Sequence, residues 1–557
     1  MHNMNQFGFI IPPYFNAEDY ISNDKTSVLP AFTVPYGILS IITFLNKKIN
    51  NYEFEILDLN ITLKSCLDNN IVNYQPALDK SIIDFVKSKS FKFIGISALF
   101  NSSFKYLDET SNLIKMHSQE TTILAGGGLP SAAYFEILNS CNSIDAICKG
   151  EGELPLLRLL EAENSEILLN NDPSWITKQT MNQGITPSHS FLENLDEIPP
   201  FDYSFVNLTN YNSRGIDKKY ISDENKREMA IHTSRGCPFK CVFCSNPSLH
   251  GYDVRTMSID RVISDVTRMR DDFGMSVLMI EDDHFFNDKN RAKTILLELS
   301  KLNIRCEFPN GVAVYAIDDE VAELFSKAGV SAVALAIESG SDYVLNKLMK
   351  KPLKSKLIYP AIKSLRKYNV RAHAFMVVGI PGEQDEHREE TRQMLLQAGL
   401  DWVHMFCAIP IFGSRLFEIC KEKGFIDLKG NSDNYVSTKS IIKAPGIDPV
   451  NISNFVYRTQ LEVNFINNYN YINKNYEILM PYLKNVIDKY EDHAYGHFYY
   501  AKCLHELNDY KEAKKHMEKA KNIFLRNKDW QDIASFHGGE IKDFCENSRL
   551  IFESFNL

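Results

Sequence analysis

Short apolar runs alternate with amphipathic segments along the first part of the chain. The runs that we predict to be buried strands are residues 8–11, 54–57, 93–97, 122–125 and 146–148. The segments between them, such as residues 81–87 and 107–116, space their apolar residues as helices do when one face packs against a sheet. This alternation predicts an α/β fold, with a Rossmann-like, doubly wound parallel sheet over residues 1–165.

The same alternation returns between residues 226 and 430. The predicted strands there are residues 229–233, 277–280, 305–310, 332–337, 372–378 and 403–409. Parallel strands joined by helices predict a partial, TIM-like (β/α)6 barrel, whose active site forms from loops at the carboxyl ends of the strands. Residues 166–225 are predicted to link the two α/β domains.

The pattern becomes helical after residue 430, and residues 431–557 are predicted to form an α-helical domain. Small and aromatic residues there take the positions of one tetratricopeptide-like repeat: Tyr500, Ala501, Leu504, Asn508, Tyr510, Ala513, Met517 and Ala520. A single repeat cannot bury both of its faces, so we expect it to pack on helices at residues 454–467 and 476–489. A simple helical cap on the barrel and a surface for a protein partner both agree with this pattern.

Composition and charge narrow the class of protein. The 557-residue chain is 44% hydrophobic and 24% charged, as is typical of a globular protein with several domains. Its formal net charge of -10 argues against a general nucleic-acid binder. Residues 1–15 lack the pattern of a signal peptide, and the apolar run at residues 32–45 is too short to span a bilayer. We therefore expect a reduced, cytoplasmic setting and no membrane span.

Three closely spaced cysteines carry the strongest chemical signal. Cys237, Cys241 and Cys244 have the spacing C-x3-C-x2-C. Thiolates with this spacing suit three corners of a cubane 4Fe–4S cluster, whose fourth iron can then chelate the amino and carboxylate groups of S-adenosylmethionine (SAM). A structural zinc site or a reactive thiol remains open, although the nearby His232 and His250 lack the usual zinc spacing. A disulfide framework fits poorly, because 11 cysteines is an odd number.

Further motifs follow the predicted strands of residues 226–430. E-D-D at 281–283 follows the second strand, E-S-G-S at 338–341 the fourth, G-I-P-G-E at 379–383 the fifth and P-I-F-G-S at 410–414 the sixth. Together with the cysteine loop after the first strand, these motifs gather where a barrel builds its active site. Across this whole region the chain resembles the radical SAM superfamily.

The resemblance implies a role for each motif. It implies that Cys237, Cys241 and Cys244 bind a 4Fe–4S cluster. The residues that it implies for SAM binding are Phe243, Asp282, Asp283, Glu338, Gly379 and Ile380. In the family, the aromatic residue and the glycine loop pack near adenine, the glutamate contacts the ribose or the amino group, and a G-G-E segment holds the methionine amino group where this chain has E-D-D. For each carboxylate, the alternative is a solvated loop end or a helix cap.

The strand ends of the first domain carry a second resemblance. They are similar to the three-part pattern of cobalamin-binding domains, D-x-H-x-x-G, S-x-L and G-G, through Asp58, Ser97, Leu99, Gly126 and Gly127. Asn60 replaces the histidine that would bind cobalt from below, and Leu63 replaces the first glycine. The resemblance therefore implies a cobalamin whose lower face is free of histidine. The alternative is a sheet domain that has lost its cofactor.

Other segments of the first half look like cobalamin-dependent radical SAM proteins. They are I-P-P at 11–13, V-P-Y-G at 34–37, K-G-E-G-E at 149–153 and L-D-E-I-P-P-F-D at 195–202. This likeness implies that Pro35, Tyr36 and Asn60 join the strand-end residues at the cobalamin site. The cobalamin and SAM sites would then face one shared cavity.

The resemblance implies a reaction that rests on both cofactors. A reduced cluster cleaves SAM to a 5'-deoxyadenosyl radical, and methylcobalamin then methylates an unactivated carbon in a biosynthetic intermediate. One alternative is cobalamin-dependent radical cyclisation, ring contraction or rearrangement, and another is a non-catalytic scaffold. The partners implied are a small-molecule substrate and a reductant such as flavodoxin or ferredoxin. We predict no catalytic triad, and we expect structural roles for His373, His404 and Cys407 on barrel strands.

Overall fold

The computed structural model of the chain describes residues 4–15, 32–211, 227–427 and 438–554, with side chains up to residue 546. The end of the predicted linker and the predicted boundary at residue 430 lie outside these ranges. In the described part of the chain, no helix is both long and apolar enough to cross a membrane.

In the described residues, the N-terminal domain is built on a sheet of six strands. The strands are β1 (Asn5–Ile11), β2 (Tyr52–Asp58), β3 (Phe91–Ser97), β4 (Thr122–Gly126), β5 (Ala146–Cys148) and β6 (Trp175–Ile176). Their order is β2-β1-β3-β4-β5-β6, and all pairs are parallel except β5 with β6. The strand order reverses between β1 and β3, which is the point where doubly wound sheets bind ligands at their carboxyl edge.

Helices cover both faces of this sheet. They are α1 (Tyr36–Lys48), α2 (Leu59–Asp68), α3 (Gln75–Ser88), α4 (Phe104–His117), α5 (Gly128–Ala132), α6 (Tyr134–Ser140), α7 (Glu153–Glu161), α8 (Ser165–Asn171) and α9 (Lys178–Asn182). Along β1, Phe7 and Phe9 join one hydrophobic core and Ile10 joins the other. Burial on both faces explains why the strands of this sheet show as continuous apolar runs in the sequence.

The central region contains parallel sheets. Its strands are β7 (Arg227–Ile231), β8 (Ser234–Arg235), β9 (Arg255–Thr256), β10 (Met275–Ile280), β11 (Arg305–Glu307), β12 (Ala332–Glu338), β13 (Arg371–Val378) and β14 (Trp402–Cys407). Within the described ranges, β11-β10-β7 and β12-β13-β14 form two parallel sheets, and β8 pairs with β9 in an antiparallel hairpin. A parallel bridge between Val312 and Leu335 joins the two sheets. Their closure into a partial barrel stays a prediction.

Helices alternate with these strands. They are α10 (Pro247–His250), α11 (Ile259–Phe273), α12 (Lys289–Leu299), α13 (Asp319–Lys327), α14 (Ile358–Lys367), α15 (Asp385–Ala398) and α16 (Arg415–Lys423). Ser258, Asp288, Asp318 and Ser414 accept backbone N–H bonds at the starts of α11, α12, α13 and α16. These caps fix where each loop ends and its helix begins.

The C-terminal region is helical, as predicted. Its helices are α17 (Pro449–Leu461), α18 (Tyr469–Ile472), α19 (Tyr476–Lys489), α20 (Ala494–Glu506), α21 (Tyr510–Arg526), α22 (Lys528–His537) and α23 (Gly539–Ser554). Helices α20 and α21 pack together around a core that contains Tyr495, Phe498 and Phe524. The region docks on the edge strand β14, where Asn464 Oδ1 accepts the Val403 N–H at 2.8 Å. The tetratricopeptide-like character of α20 and α21 stays a prediction.

Candidate functional site

The three cysteines lie on a tight loop after the β8 strand. Gly236 begins the loop with φ +94°, and a Cβ there would lie 2.3 Å from the Asp253 carbonyl oxygen, so this position requires glycine. The Cys237 N–H donates to the Gly251 carbonyl at 3.4 Å, and the Cys244 N–H donates to the Cys241 carbonyl at 3.1 Å. These bonds fix the backbone at the first and the last of the three cysteines.

The three thiols form a donor set that suits an iron–sulfur cluster. All three side chains are half-buried. Burial raises the pKa of each, to about 12 for Cys244, and the charges of Cys237 and Cys241 add to the rise at Cys244. The thiolates that a cluster needs therefore require nearby positive charge, which iron supplies. Among the described residues, no three His, Cys, Asp or Glu side chains are grouped as around a single metal ion, whereas a cubane cluster binds each thiolate through a separate iron.

The Asp283 carboxylate accepts hydrogen bonds from both ends of the cysteine loop. Its Oδ2 accepts the Gly236 N–H at 2.9 Å, and its Oδ1 accepts the side-chain amide of Asn246 at 2.7 Å. The carboxylate thus connects the end of β10 to the loop after β8. The predicted contact of Asp283 with SAM stays a prediction, because the contacts seen here are all with the loop.

The Asp282 carboxylate is buried beneath the segment that precedes the cysteine loop. It is 4% exposed. Its Oδ1 accepts the Thr233 N–H, and its Oδ2 accepts the hydroxyls of Thr233 and Ser234, each at 2.6 Å. Both oxygens thus accept hydrogen bonds from protein donors, and Asp282 orients the segment that leads into the cysteine loop. The predicted contact of Asp282 with the amino group of SAM stays a prediction.

Glu338 is held in an unusual conformation at the end of β12. Its φ of +70° is in the left-handed region, which is costly for a residue other than glycine and is typical of functional sites. The side chain is buried, and burial raises its pKa, while Lys351 Nζ, 3.5 Å from its Oε1, opposes that rise. The charge of Lys351 also acts on the Cys237 and Cys241 thiols, so Lys351 lies near both Glu338 and the cysteine loop.

Ser341 follows in the same loop and was missed as a ligand candidate. Its hydroxyl is buried, yet it has no hydrogen-bond partner among the described residues. A buried, unpaired hydroxyl is costly unless a ligand or water satisfies it. Its place in the E-S-G-S motif was the signal available in the sequence.

The glycine loop after β13 is fixed by its own glutamate. Gly379 and Gly382 have φ of +96° and +99°. Glu383 Oε2 accepts the Gly379 N–H at 2.6 Å, and burial raises the pKa of Glu383 to about 7. Ile380 is buried against the core, and Phe243 is half-buried against the same core. The predicted contacts of Gly379, Ile380 and Phe243 with SAM stay predictions.

His284 and Tyr315 form a further polar pair beside the cysteine loop. The Tyr315 hydroxyl lies 2.5 Å from His284 Nε2, and the Phe239 ring lies 5.1 Å from the His284 ring. Burial lowers the pKa of His284 to about 4, with the charge of Lys351 contributing, so the imidazole is neutral near pH 7. The sequence did not reveal this pair, because 31 residues separate its members.

At the carboxyl edge of the N-terminal sheet, backbone and apolar side chains are arranged as a large cofactor needs. Ser97 lies opposite Gly126 in register. Gly127 has φ +97°, and a Cβ there would lie 2.6 Å from the Ala98 carbonyl oxygen. Leu99 and the adjacent Phe100 are 56% and 52% exposed. Apolar side chains left in solvent at this edge fit a broad hydrophobic group such as a corrin ring.

The Asn60 side chain is held by protein groups beside Asp58. It is 1% exposed. Its Oδ1 accepts the Tyr14 N–H at 3.1 Å, and its Nδ2 donates to the Pro12 carbonyl at 3.2 Å and to Asp58 Oδ1 at 2.9 Å. These contacts occupy both ends of the amide and anchor the segment after β1. The predicted contact of Asn60 with cobalamin stays a prediction.

Tyr36 and Pro35 lie where the first domain meets the barrel region. Pro35 precedes α1, and the hydroxyl of Tyr36 accepts the His232 N–H at 3.2 Å, just beyond β7. The Tyr36 ring also packs on Phe201, at a centroid distance of 4.6 Å. Tyr36 therefore joins the two domains, and its contact with cobalamin stays a prediction.

A buried charge network also joins the two domains. Glu151 and Glu153, from the K-G-E-G-E motif, both accept from Arg235 Nη1 at 2.9 Å. Glu151 also accepts from Arg255, at 2.5 and 2.9 Å, and lies 2.8 Å from His250 Nδ1. Arg235 directly precedes Gly236, so this network holds the cysteine loop against the N-terminal domain.

Comparison with known families agrees with this architecture. The model described as "Radical SAM superfamily" matches residues 231–395, and the model described as "B12 binding domain" matches residues 26–160. The first segment contains the cysteine loop and the second contains the glycine-bearing sheet edge. The chain is a radical SAM enzyme with a B12-binding domain. The radical SAM domain implies a 4Fe–4S cluster and SAM, and the B12-binding domain implies cobalamin. These are the cofactors that the sequence predicted.

Individual relatives extend the likeness to most of the chain. Cytidylyl-2-hydroxyethylphosphonate methyltransferase of Streptomyces wedmorensis is 27% identical over 462 residues, 75% of this chain and 84% of the relative. The radical SAM methyltransferase TsrM from Kitasatospora setae has a similar fold, with a TM-score of 0.59 at 15% identity over 76% of this chain and 77% of TsrM. OxsB, a cobalamin-dependent SAM radical enzyme, has a TM-score of 0.56 at 16% identity over 99% of this chain and 75% of OxsB.

Proposed function

We propose that this radical SAM enzyme is a cobalamin-dependent methyltransferase that methylates an unactivated carbon of a small biosynthetic intermediate. The observation that carries the proposal is the buried network of Glu151, Glu153 and Arg235, which ties the cysteine loop to the domain that bears the glycine edge. A chain that used only one of the two cofactors would not need to hold both sites together. When bound, the cluster supplies the electron that cleaves SAM, and cobalamin supplies a carrier for the methyl group.

The residues at the cluster divide into ligands and positioning groups. Cys237, Cys241 and Cys244 are the proposed cluster ligands. Asp282 and Asp283 position the loop that carries them, through the hydrogen bonds at Thr233, Ser234, Gly236 and Asn246. These hydrogen bonds hold the loop in one conformation, and such preorganisation lowers the cost of binding.

The proposed SAM contacts lie on the strand ends around the cysteine loop. They are Phe243, Asp282, Asp283, Glu338, Ser341, Gly379 and Ile380. Glu338 and Ser341 are favoured by the strained backbone of the first and the unpaired hydroxyl of the second. Burial raises the pKa of the Glu338 carboxyl and Lys351 opposes that rise, so Lys351 favours the ionised form that contact with an ammonium group requires.

The proposed cobalamin contacts lie at the carboxyl edge of the N-terminal sheet. They are Pro35, Tyr36, Asn60, Ser97, Leu99, Gly126 and Gly127. The amide of Asn60 is also bonded to protein groups at both ends, which fixes its position beside Asp58. A lower face without a protein histidine is part of the proposal.

The reaction alternative and the setting also belong to the proposal. Radical cyclisation, ring contraction or rearrangement would use the same two cofactors without methyl transfer. The C-terminal helices cap the barrel region, and a flavodoxin or ferredoxin is the proposed reductant in a reduced, cytoplasmic setting.

His373 has a structural role, because its ring is buried and bonded to the Tyr482 hydroxyl at 2.8 Å.

The products of SAM test this proposal. We would load the protein with iron, sulfide and cobalamin without oxygen, add SAM and a reductant, and measure 5'-deoxyadenosine and S-adenosylhomocysteine by mass spectrometry. Methyl transfer predicts both products for the wild type and for the control Cys545→Ser, and neither 5'-deoxyadenosine nor cluster iron for Cys244→Ser. Release of 5'-deoxyadenosine without S-adenosylhomocysteine would favour rearrangement over methylation.

A further inference from the structure

A cavity of about 820 Å³ opens beside the cysteine loop. Cys241, Val242 and Cys244 form part of its wall, and α16 forms another part. The Val242 N–H donates to the Met349 carbonyl at 2.9 Å, and the Val242 carbonyl accepts the Leu416 N–H at 2.7 Å, so backbone hydrogen bonds hold Val242 between these two residues. Of the proposed SAM contacts, Ile380 reaches this cavity, whereas the described lining does not include Phe243, Glu338 or Ser341.

The mouth of this cavity is strongly basic. Its described charged lining residues are Lys240, Lys347, Lys350, Arg415, Lys423 and one carboxylate, Glu422. Glu422 pairs with Arg415 at 3.0 Å, and no ion pair involves the four lysines within the described ranges. All four lysines are exposed. A cluster of unpaired lysines on a chain with a net charge of -10 creates a local positive potential that attracts an acidic partner.

Apolar groups lie among these lysines. Val242, Leu348, Ile419 and Phe425 line the cavity, and the Tyr252 side chain is 47% exposed, with Lys240 Nζ 5.5 Å from its ring centroid. An apolar centre inside a charged, solvent-exposed rim is the arrangement of a protein interface. A pocket for a small anion would instead place its cationic groups out of solvent.

We propose that this surface docks an acidic, flavin-bearing electron carrier and leads its electron to the cluster ligands Cys241 and Cys244; this inference rests on the proposed function. The carrier's anionic flavin hydroquinone gives up one electron and becomes the neutral semiquinone. The oxidised cluster gains that electron, and no proton has to move. The lysines draw the carrier to a surface cavity whose wall includes the cluster ligands Cys241 and Cys244.

The test compares two double variants with the same change in net charge. Lys347→Glu/Lys350→Glu reverses charge at the cavity. Lys87→Glu/Lys514→Glu reverses it at exposed lysines on α3 and α21, away from the cavity. Calorimetric titration of each cluster-loaded protein with oxidised flavodoxin at low salt measures docking, and stopped-flow absorbance with the flavodoxin hydroquinone measures reduction of the cluster.

We expect the cavity variant to bind flavodoxin at least about tenfold more weakly and to be reduced correspondingly more slowly, with a smaller salt dependence. The control variant should stay within about twofold of wild type. Equal binding and reduction of all three proteins, or an equal loss in both variants, would overturn the proposal. A control with methyl viologen radical cation separates this result from the proposed function. If this small reductant reduces the cluster of the cavity variant and 5'-deoxyadenosine is released, the radical SAM activity is intact. A loss of docking to flavodoxin then concerns the surface alone.

Discussion

Glu151 offers the sharpest test of how the two cofactor sites are held together. Its carboxylate is buried between Arg235, Arg255 and His250. Burial alone would raise the pKa of Glu151, but the charge of Arg235 and the hydrogen bonds from Arg255 and His250 lower it below its usual range. We predict that Glu151→Gln strongly destabilises the protein, because it keeps the shape of the side chain but removes the charge.

The size of the destabilisation depends on which hydrogen-bond partners Arg235 and Arg255 retain in Glu151→Gln. Arg235 retains Glu153, whereas Arg255 retains the carbonyls of Leu192 and His250 but no carboxylate among the described residues. Leaving a buried charge without its partner costs about 3–5 kcal/mol. For a cooperative unit of about 400 residues with an unfolding entropy of about 2.1 cal/mol/K per residue, this lowers the melting temperature by about 4–6 °C.

Calorimetry of the wild type, Glu151→Gln and the control Glu197→Gln measures this effect. Glu197 pairs with Lys48 at the surface, so its variant should change the melting temperature by about 1 °C or less. Because the pKa of Glu151 is lowered in the folded state, its contribution is present above the unfolded pKa and is lost as the pH falls. The difference between wild type and Glu151→Gln should therefore shrink in acid. Equal melting temperatures for both variants at neutral pH would refute the argument.

Other positions give independent predictions. Gly127→Ala should lower the corrinoid content measured by absorbance and cost about 1–3 kcal/mol in thermal unfolding, because its Cβ would meet the Ala98 carbonyl; Gly37→Ala, with open space in α1, should instead stabilise by about 0.5–1 kcal/mol. Glu338→Gln should raise the Kd for SAM about tenfold in equilibrium dialysis, and an unchanged Kd would remove Glu338 from the site. Tyr482→Phe should cost about 1–3 kcal/mol in thermal unfolding, because it removes the hydroxyl bonded to the buried His373 ring, and an unchanged melting temperature would contradict this.

The long parallel strands could be predicted because burial on both faces leaves an uninterrupted apolar run. Each predicted strand overlaps an observed one, for example residues 122–125 with β4 and residues 372–378 with β13. The short strands β6, β8 and β9 could not be predicted, since two residues carry no periodicity. The sequence therefore did not predict the β8–β9 pair that precedes and follows the cysteine loop, although the spacing of the cysteines was recognisable.

Site residues could be predicted where their chemistry depends on spacing along the chain. They could not be predicted where it depends on contacts between residues far apart in the sequence. The cysteine triplet and the glycine pair are local patterns. The bond from Arg235 to Glu151 spans 84 residues, and the one from Tyr36 to His232 spans 196. Asp282 and Asn60 were predicted as ligand contacts because their positions matched motifs, and their hydrogen bonds to Thr233 and to Pro12 could not be read from the sequence.

The amounts of iron, sulfide and corrinoid in the purified protein test the central claim most directly. That claim is that one chain holds both cofactors. Protein made and purified without oxygen, from cells supplied with cobalamin, would be assayed for iron, sulfide and corrinoid, and its absorption spectrum recorded before and after SAM is added. We predict about four iron, about four sulfide and nearly one corrinoid per chain, with a spectral change on adding SAM. Iron and sulfide without corrinoid would contradict methyl transfer through cobalt and leave an enzyme that cleaves SAM beside an empty sheet edge.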